Sequence, residues 1–105
     1  MAFDLEAVND VIGSYVADVR NAIPIDRVFL YGSYAKGTAT EQSDIDLCFF
    51  SHDFENQSAI DTMTQLFRLA RKYEAIDIEP RGFPVSELNN GNPFVKEILR
   101  TGREL

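Results

Sequence analysis

Leu5, Val8, Ile12, Tyr15, Val16 and Val19 recur at three- and four-residue intervals, the spacing of one apolar helix face, and Asp4 stands where a cap would. The spacing predicts a helix that stops before Pro24, because the residue preceding a proline avoids the helical region. Gly13 inside it costs about 1 kcal/mol relative to alanine. Arg27-Val28-Phe29-Leu30-Tyr31 is a β-branched and aromatic run closed by Gly32, the pattern of a buried strand. A polar segment from Ser33 to Ser43 follows, and Asp44 to Phe50 reads as a second strand. There Asp44 and Asp46 share one face while Ile45 and Leu47 share the other. Ile60, Met63, Leu66, Phe67, Ala70 and Tyr73 mark a second long helix, beginning between Asp53 and Ser58. Ala75 to Glu79 is expected to be a third strand, ended by Pro80. Gly82, Pro84 and Asn89-Asn90-Gly91 then punctuate a loop. A short helix from Pro93 to Arg100 closes the pattern, with Asn92 as cap and Gly102 as stop. The sum is an α/β fold: a short mixed sheet of three or more strands with helices mainly on one face.

At 105 residues the chain is expected to be one domain over residues 1–105. Apolar residues at 45% and charged residues at 26% suit a globular protein. No apolar run approaches the ~18 residues of a membrane span, and the acidic N-terminus lacks the pattern of a secretory signal. The net charge of −7 disfavours nucleic acid as a partner, since phosphate binding leaves a basic footprint. The single cysteine, Cys48, fits a reducing cytoplasm and reads as a small buried apolar residue.

Three features carry chemistry. Gly32-Ser33 ends a strand and is followed by Tyr34-Ala35-Lys36-Gly37, a turn whose backbone N–H groups can face a phosphate. The same glycine also suits a plain turn. Asp44 and Asp46 have Cβ atoms roughly 7 Å apart on one strand face. Their repulsion, about 2 kcal/mol at an intermediate dielectric, is relieved by a hard divalent ion such as Mg²⁺. The other reading is two solvated acids on an edge strand. Asp77, between Ile76 and Ile78, shares its facing with Glu79, and either acid can supply a third carboxylate. Three converging carboxylates suit two metal ions acting on one phosphorus. His52, the sole histidine, reads as a surface or capping residue. One histidine and one cysteine make no transition-metal set. No GxxxxGK[ST] run occurs, which excludes a P-loop, and no Gly-x-Ser-x-Gly elbow supports hydrolase chemistry.

Gly32-Ser33-Tyr34-Ala35-Lys36-Gly37 followed by Ser43-Asp44-Ile45-Asp46-Leu47 resembles the GSxxxG…SDxDL signature of the DNA polymerase beta nucleotidyltransferase superfamily. The short chain is similar to its minimal, MNT-type members. The likeness is strongest from Val28 to Phe50 and continues more loosely to Asp77 and to Ile98-Leu99-Arg100-Thr101-Gly102. It implies the nucleotidyltransferase fold and in-line transfer of a nucleoside monophosphate from ATP or another nucleoside triphosphate. Gly32 and Ser33 would cradle the β- and γ-phosphates, and Lys36 either offsets phosphate charge or is a solvated turn lysine. Asp44, Asp46 and Asp77 would hold two Mg²⁺ ions, with Asp77 also helping to deprotonate the acceptor hydroxyl. The resemblance further implies a separately encoded helical HEPN-type partner, a tyrosine of which accepts AMP in an antitoxin role; a homo- or hetero-oligomer is left open by the sequence. The competing function is a non-catalytic antitoxin or complex subunit that acts by contact. Phe94, Val95, Ile98 and Leu99 would serve either function as a docking face, or simply pack on the sheet.

Overall fold

The computed structural model describes residues 4–105. Asp4 caps α1 (Leu5–Ala22) by accepting a hydrogen bond from the Ala7 amide at 3.1 Å. The helix runs through Gly13 unbroken and buries the stripe Val8, Ile12, Tyr15, Val16 and Val19. Then come β1 (Arg27–Tyr31), α2 (Ser33–Lys36), β2 (Ile45–Ser51), α3 (Ala59–Ala70), β3 (Ile78–Pro84), α4 (Pro93–Thr101) and β4 (Arg103–Glu104). The strands form one mixed sheet in the order β3-β2-β1-β4. β1 is antiparallel to both β2 and β4, and β2 is parallel to β3. No described helix is long and apolar enough to cross a membrane.

Alternation along the strands gives the sheet two buried faces. Val28, Leu30, Ile45, Leu47, Phe49 and Ile78 pack against α1 and α3. Phe29, Cys48 and Phe50 pack against Val95 and Ile98 of α4 on the other side. The two long helices thus share one face, and the short α4 covers part of the second. Val95 and Ile98 are buried as a sheet-packing helix requires, while Phe94 stays 38% exposed. Cys48 is fully buried, and burial pushes its thiol up to about 12. His52 lies at the surface and is not itself a cap: its backbone N–H donates to Asp26 at 2.8 Å, and its ring Nδ1 lies 2.9 Å from the same carboxylate oxygen, while Ser51 caps the short turn that follows.

Two expectations need correction. The third strand does not run from Ala75 to Glu79 and does not end at Pro80; it begins at Ile78 and continues through Pro80 to Pro84. Asp77 therefore precedes the strand, although its carbonyl accepts from the Ile45 amide at 2.8 Å. That bond assigns odd-numbered residues of this segment to the β2 ladder. Pro80 and Pro84 then fall where an N–H would face the open sheet edge, the position a strand proline tolerates. Gly102 does stop α4 as expected, but that helix is not the last element. β4 follows at once, held on β1 by a two-point contact from Arg27 to Glu104 at 2.8 and 2.9 Å.

Tyr15 ties the two long helices together. Its hydroxyl donates to the Leu66 carbonyl at 2.8 Å in a fully buried setting, and its ring meets Phe49 edge-on at 5.8 Å. Tyr15→Phe keeps the ring packing and removes the bond. It is expected to lower stability by about 1 kcal/mol, seen as a fall of several degrees in a thermal melt.

Candidate active site

The antiparallel β1–β2 pair and the parallel β2–β3 pair bring the end of β1 and the starts of β2 and β3 to one end of the sheet. Tyr31 lies opposite Asp46, and Asp46 opposite Glu79. Register partners share a face, so these three side chains rise on the α4 side of the sheet. They line one cavity of about 400 Å³ with Asp44, Arg81 and Phe94.

Electrostatics in this cavity are unfavourable as they stand. Asp46 is half-buried, and its carboxyl is held above the ordinary range by burial first, then by the negative charges of Asp44 and Glu79, with Arg81 opposing. Tyr31 is pushed up to about 12 by burial, with the charge of Asp46 adding to the effect. Among the described residues none donates a hydrogen bond to Asp46, and no ion pair ties it down. A half-buried, repelled carboxylate with no partner among the described residues suits a cation.

Gly32 lies against that carboxylate. Its backbone is at φ +72°, ψ −151°, a region open essentially to glycine alone. A Cβ there would sit 2.3 Å from Asp46 Oδ2. The turn from β1 into α2 thus presses its peptide onto the first carboxylate of β2, and Ser33 begins α2 directly after it. Gly37, at φ +75°, closes α2 with its N–H bonded to the Ser33 carbonyl.

The structure brings together Gly32, Asp44, Asp46 and Glu79. Asp77 is exposed and lines a neighbouring cavity with Ser43 and Tyr34. Lys36 is exposed at the end of α2 and does not line the acidic cavity. Arg81 is a cavity residue that the sequence did not single out, and Phe94, expected only to dock a partner or pack on the sheet, also lines the cavity. Carrying the alternation of β3 past Pro80 would have placed Arg81 beside Glu79.

Asp44 and Asp46 offer a hard divalent cation two carboxylates on one cavity. Among the described residues no set of three acidic, histidine or cysteine side chains stands close enough together to hold a metal ion. Mg²⁺ needs no such set, since it binds through one or two carboxylates and fills its octahedron with water and substrate phosphates.

The fold is that of an α/β protein of nucleotidyltransferase architecture, with the candidate site at one end of a mixed sheet. The chain belongs to the polymerase beta nucleotidyltransferase family, whose model matches residues 13–105. It is similar to a "Putative protein adenylyltransferase" of Methanocaldococcus jannaschii, 22% identical over 95 residues that cover 90% of each chain. Its fold matches a "putative nucleotidyltransferase" from Sulfolobus solfataricus with TM-score 0.69 and 20% identity, covering 90% of this chain and 76% of that one. It also matches a toxin–antitoxin structure determined with AMP-PNP, with TM-score 0.63 and 23% identity, covering 85% of this chain and 67% of the other.

Proposed function

We propose that this nucleotidyltransferase transfers AMP from ATP, with Mg²⁺, to a hydroxyl acceptor, a tyrosine of a separately encoded helical HEPN-type protein, and acts as its antitoxin. The observation that carries the reading is the packing of Gly32 onto the Asp46 carboxylate in a cavity shared with Asp44 and Glu79. The match to a toxin–antitoxin structure with AMP-PNP and the likeness to a protein adenylyltransferase support the nucleotide and the protein acceptor.

In this reading the Gly32–Ser33 backbone and the Ser33 hydroxyl hold the β- and γ-phosphates, with Lys36 offsetting their charge from outside the cavity. Asp44 and Asp46 hold the Mg²⁺ ions, which supply Lewis-acid stabilisation of the phosphoryl oxygens. Glu79 takes the third carboxylate position in preference to Asp77, because it faces the Asp44–Asp46 cavity. The acceptor oxygen attacks the α-phosphorus in line, its proton passes to Glu79, and the α–β bridging bond breaks to release pyrophosphate.

Calorimetric titration with AMP-PNP tests the site. Binding is expected to require Mg²⁺ and to disappear in Asp44→Asn/Asp46→Asn. A folded wild-type protein that binds nothing overturns the reading. The third carboxylate is tested separately: Glu79→Gln is expected to slow transfer at least a hundredfold and Asp77→Asn by less than tenfold. The reverse order returns the role to Asp77.

A further inference from the structure

The acidic cavity has one wall of a different character. Phe94, in the first turn of α4, meets the Tyr31 ring edge-on at 5.6 Å and the Phe83 ring at 5.9 Å. The Arg81 guanidinium carbon lies 5.2 Å from its centroid. Arg81 is exposed, and among the described residues no ion pair ties it to the three nearby acids. Three neighbours thus fix the Phe94 ring, yet it remains 38% exposed at the cavity.

We propose that Phe94 and Arg81 form a stacking platform for the nucleobase of the bound nucleoside triphosphate, an inference that rests on the nucleotidyl-transfer reading. A base is planar and uncharged, so it gains nothing from the carboxylates that serve the phosphates through their cations. It gains from an aromatic ring and a delocalised guanidinium, both of which stack on π-faces. The position suits this occupant. Tyr31, which touches Phe94, is the chain neighbour of Gly32, so the platform borders the turn where the phosphates sit. Arg81 is one step deeper than Glu79 on the same face of β3. A nucleotide with its α-phosphate over Asp44 and Asp46 can then rest its base on this wall and leave the cavity mouth to the acceptor. Stacking reads ring area and not hydrogen-bond pattern, so ATP and GTP should bind alike and both more tightly than UTP.

The test compares AMP-PNP with inorganic tripolyphosphate, both with Mg²⁺, by calorimetry on the intact wild type, Phe94→Ala and Phe94→Leu. The leucine variant keeps the apolar packing of α4 if the alanine variant does not fold. AMP-PNP affinity is expected to fall about tenfold in both variants while tripolyphosphate affinity is unchanged, and Phe94→Trp should restore AMP-PNP binding. Equal loss for both ligands, or no loss for either, overturns the platform. So does a Phe94 effect confined to the acceptor's KM, which would make the wall an acceptor site. A folded wild type that fails to bind AMP-PNP overturns the nucleotidyl-transfer reading itself; wild-type binding indifferent to Phe94 overturns only the platform.

Discussion

Asp46→Asn is expected to reduce nucleotidyl transfer by on the order of a thousandfold or more while leaving the melting temperature unchanged or higher. The two halves have different causes. The carboxylate is a proposed metal ligand, and the loss of one charge that positions the cations removes about 4 kcal/mol or more of transition-state stabilisation. In the protein alone the same carboxylate is half-buried, faces Asp44 and Glu79, and receives no hydrogen bond among the described residues. The fold therefore draws no support from its charge, and the isosteric amide removes a repulsion. Transfer measured with ATP labelled at the α-phosphate, beside a thermal melt, checks both halves. A variant that retains activity sinks the two-metal assignment. One that loses its fold shows that the carboxylate has a structural partner after all.

How far the sequence reveals this site differs along the chain for identifiable reasons. α1, β1, β2 and α4 follow directly from periodicity and caps, because each buries one regular face and carries its own end signals, Asp4 and Asn92 among them. β3 is misplaced because Pro80 normally ends a strand. Only the sheet order, which makes β3 an edge strand, shows that Pro80 and Pro84 spend no ladder hydrogen bond. That displacement hid Arg81 and favoured Asp77 for the third carboxylate, with Glu79 only as its rival. β4 is two residues long and carries no pattern of its own; its place comes from pairing with β1. The Asp44–Asp46 pair and the Gly32–Ser33 turn are legible as separate motifs, eleven residues apart at their nearest for Ser33 and Asp44. Their contact is not, because it depends on the antiparallel register that sets Tyr31 opposite Asp46.

That contact makes Gly32 a position where a single methyl group harms both the backbone and the site. Gly32→Ala is expected to lose about 2–3 kcal/mol of stability, a fall on the order of 10 °C in melting temperature, together with nearly all nucleotide binding. Two costs combine. The backbone conformation at φ +72°, ψ −151° is strained for any residue with a Cβ, by about 1–3 kcal/mol. The added methyl would also lie 2.3 Å from Asp46 Oδ2, so either the carboxylate swings away or the turn lifts. Each response separates the proposed phosphate cradle from the proposed metal ligand, which is why function should fail further than stability. A double-mutant cycle separates the costs. In an Asp46→Ala background the collision is gone and the backbone strain remains, so Gly32→Ala should cost measurably less there than in the wild type. Equal costs in the two backgrounds would mean that the turn and the carboxylate are energetically independent, and that the glycine is present for its backbone alone.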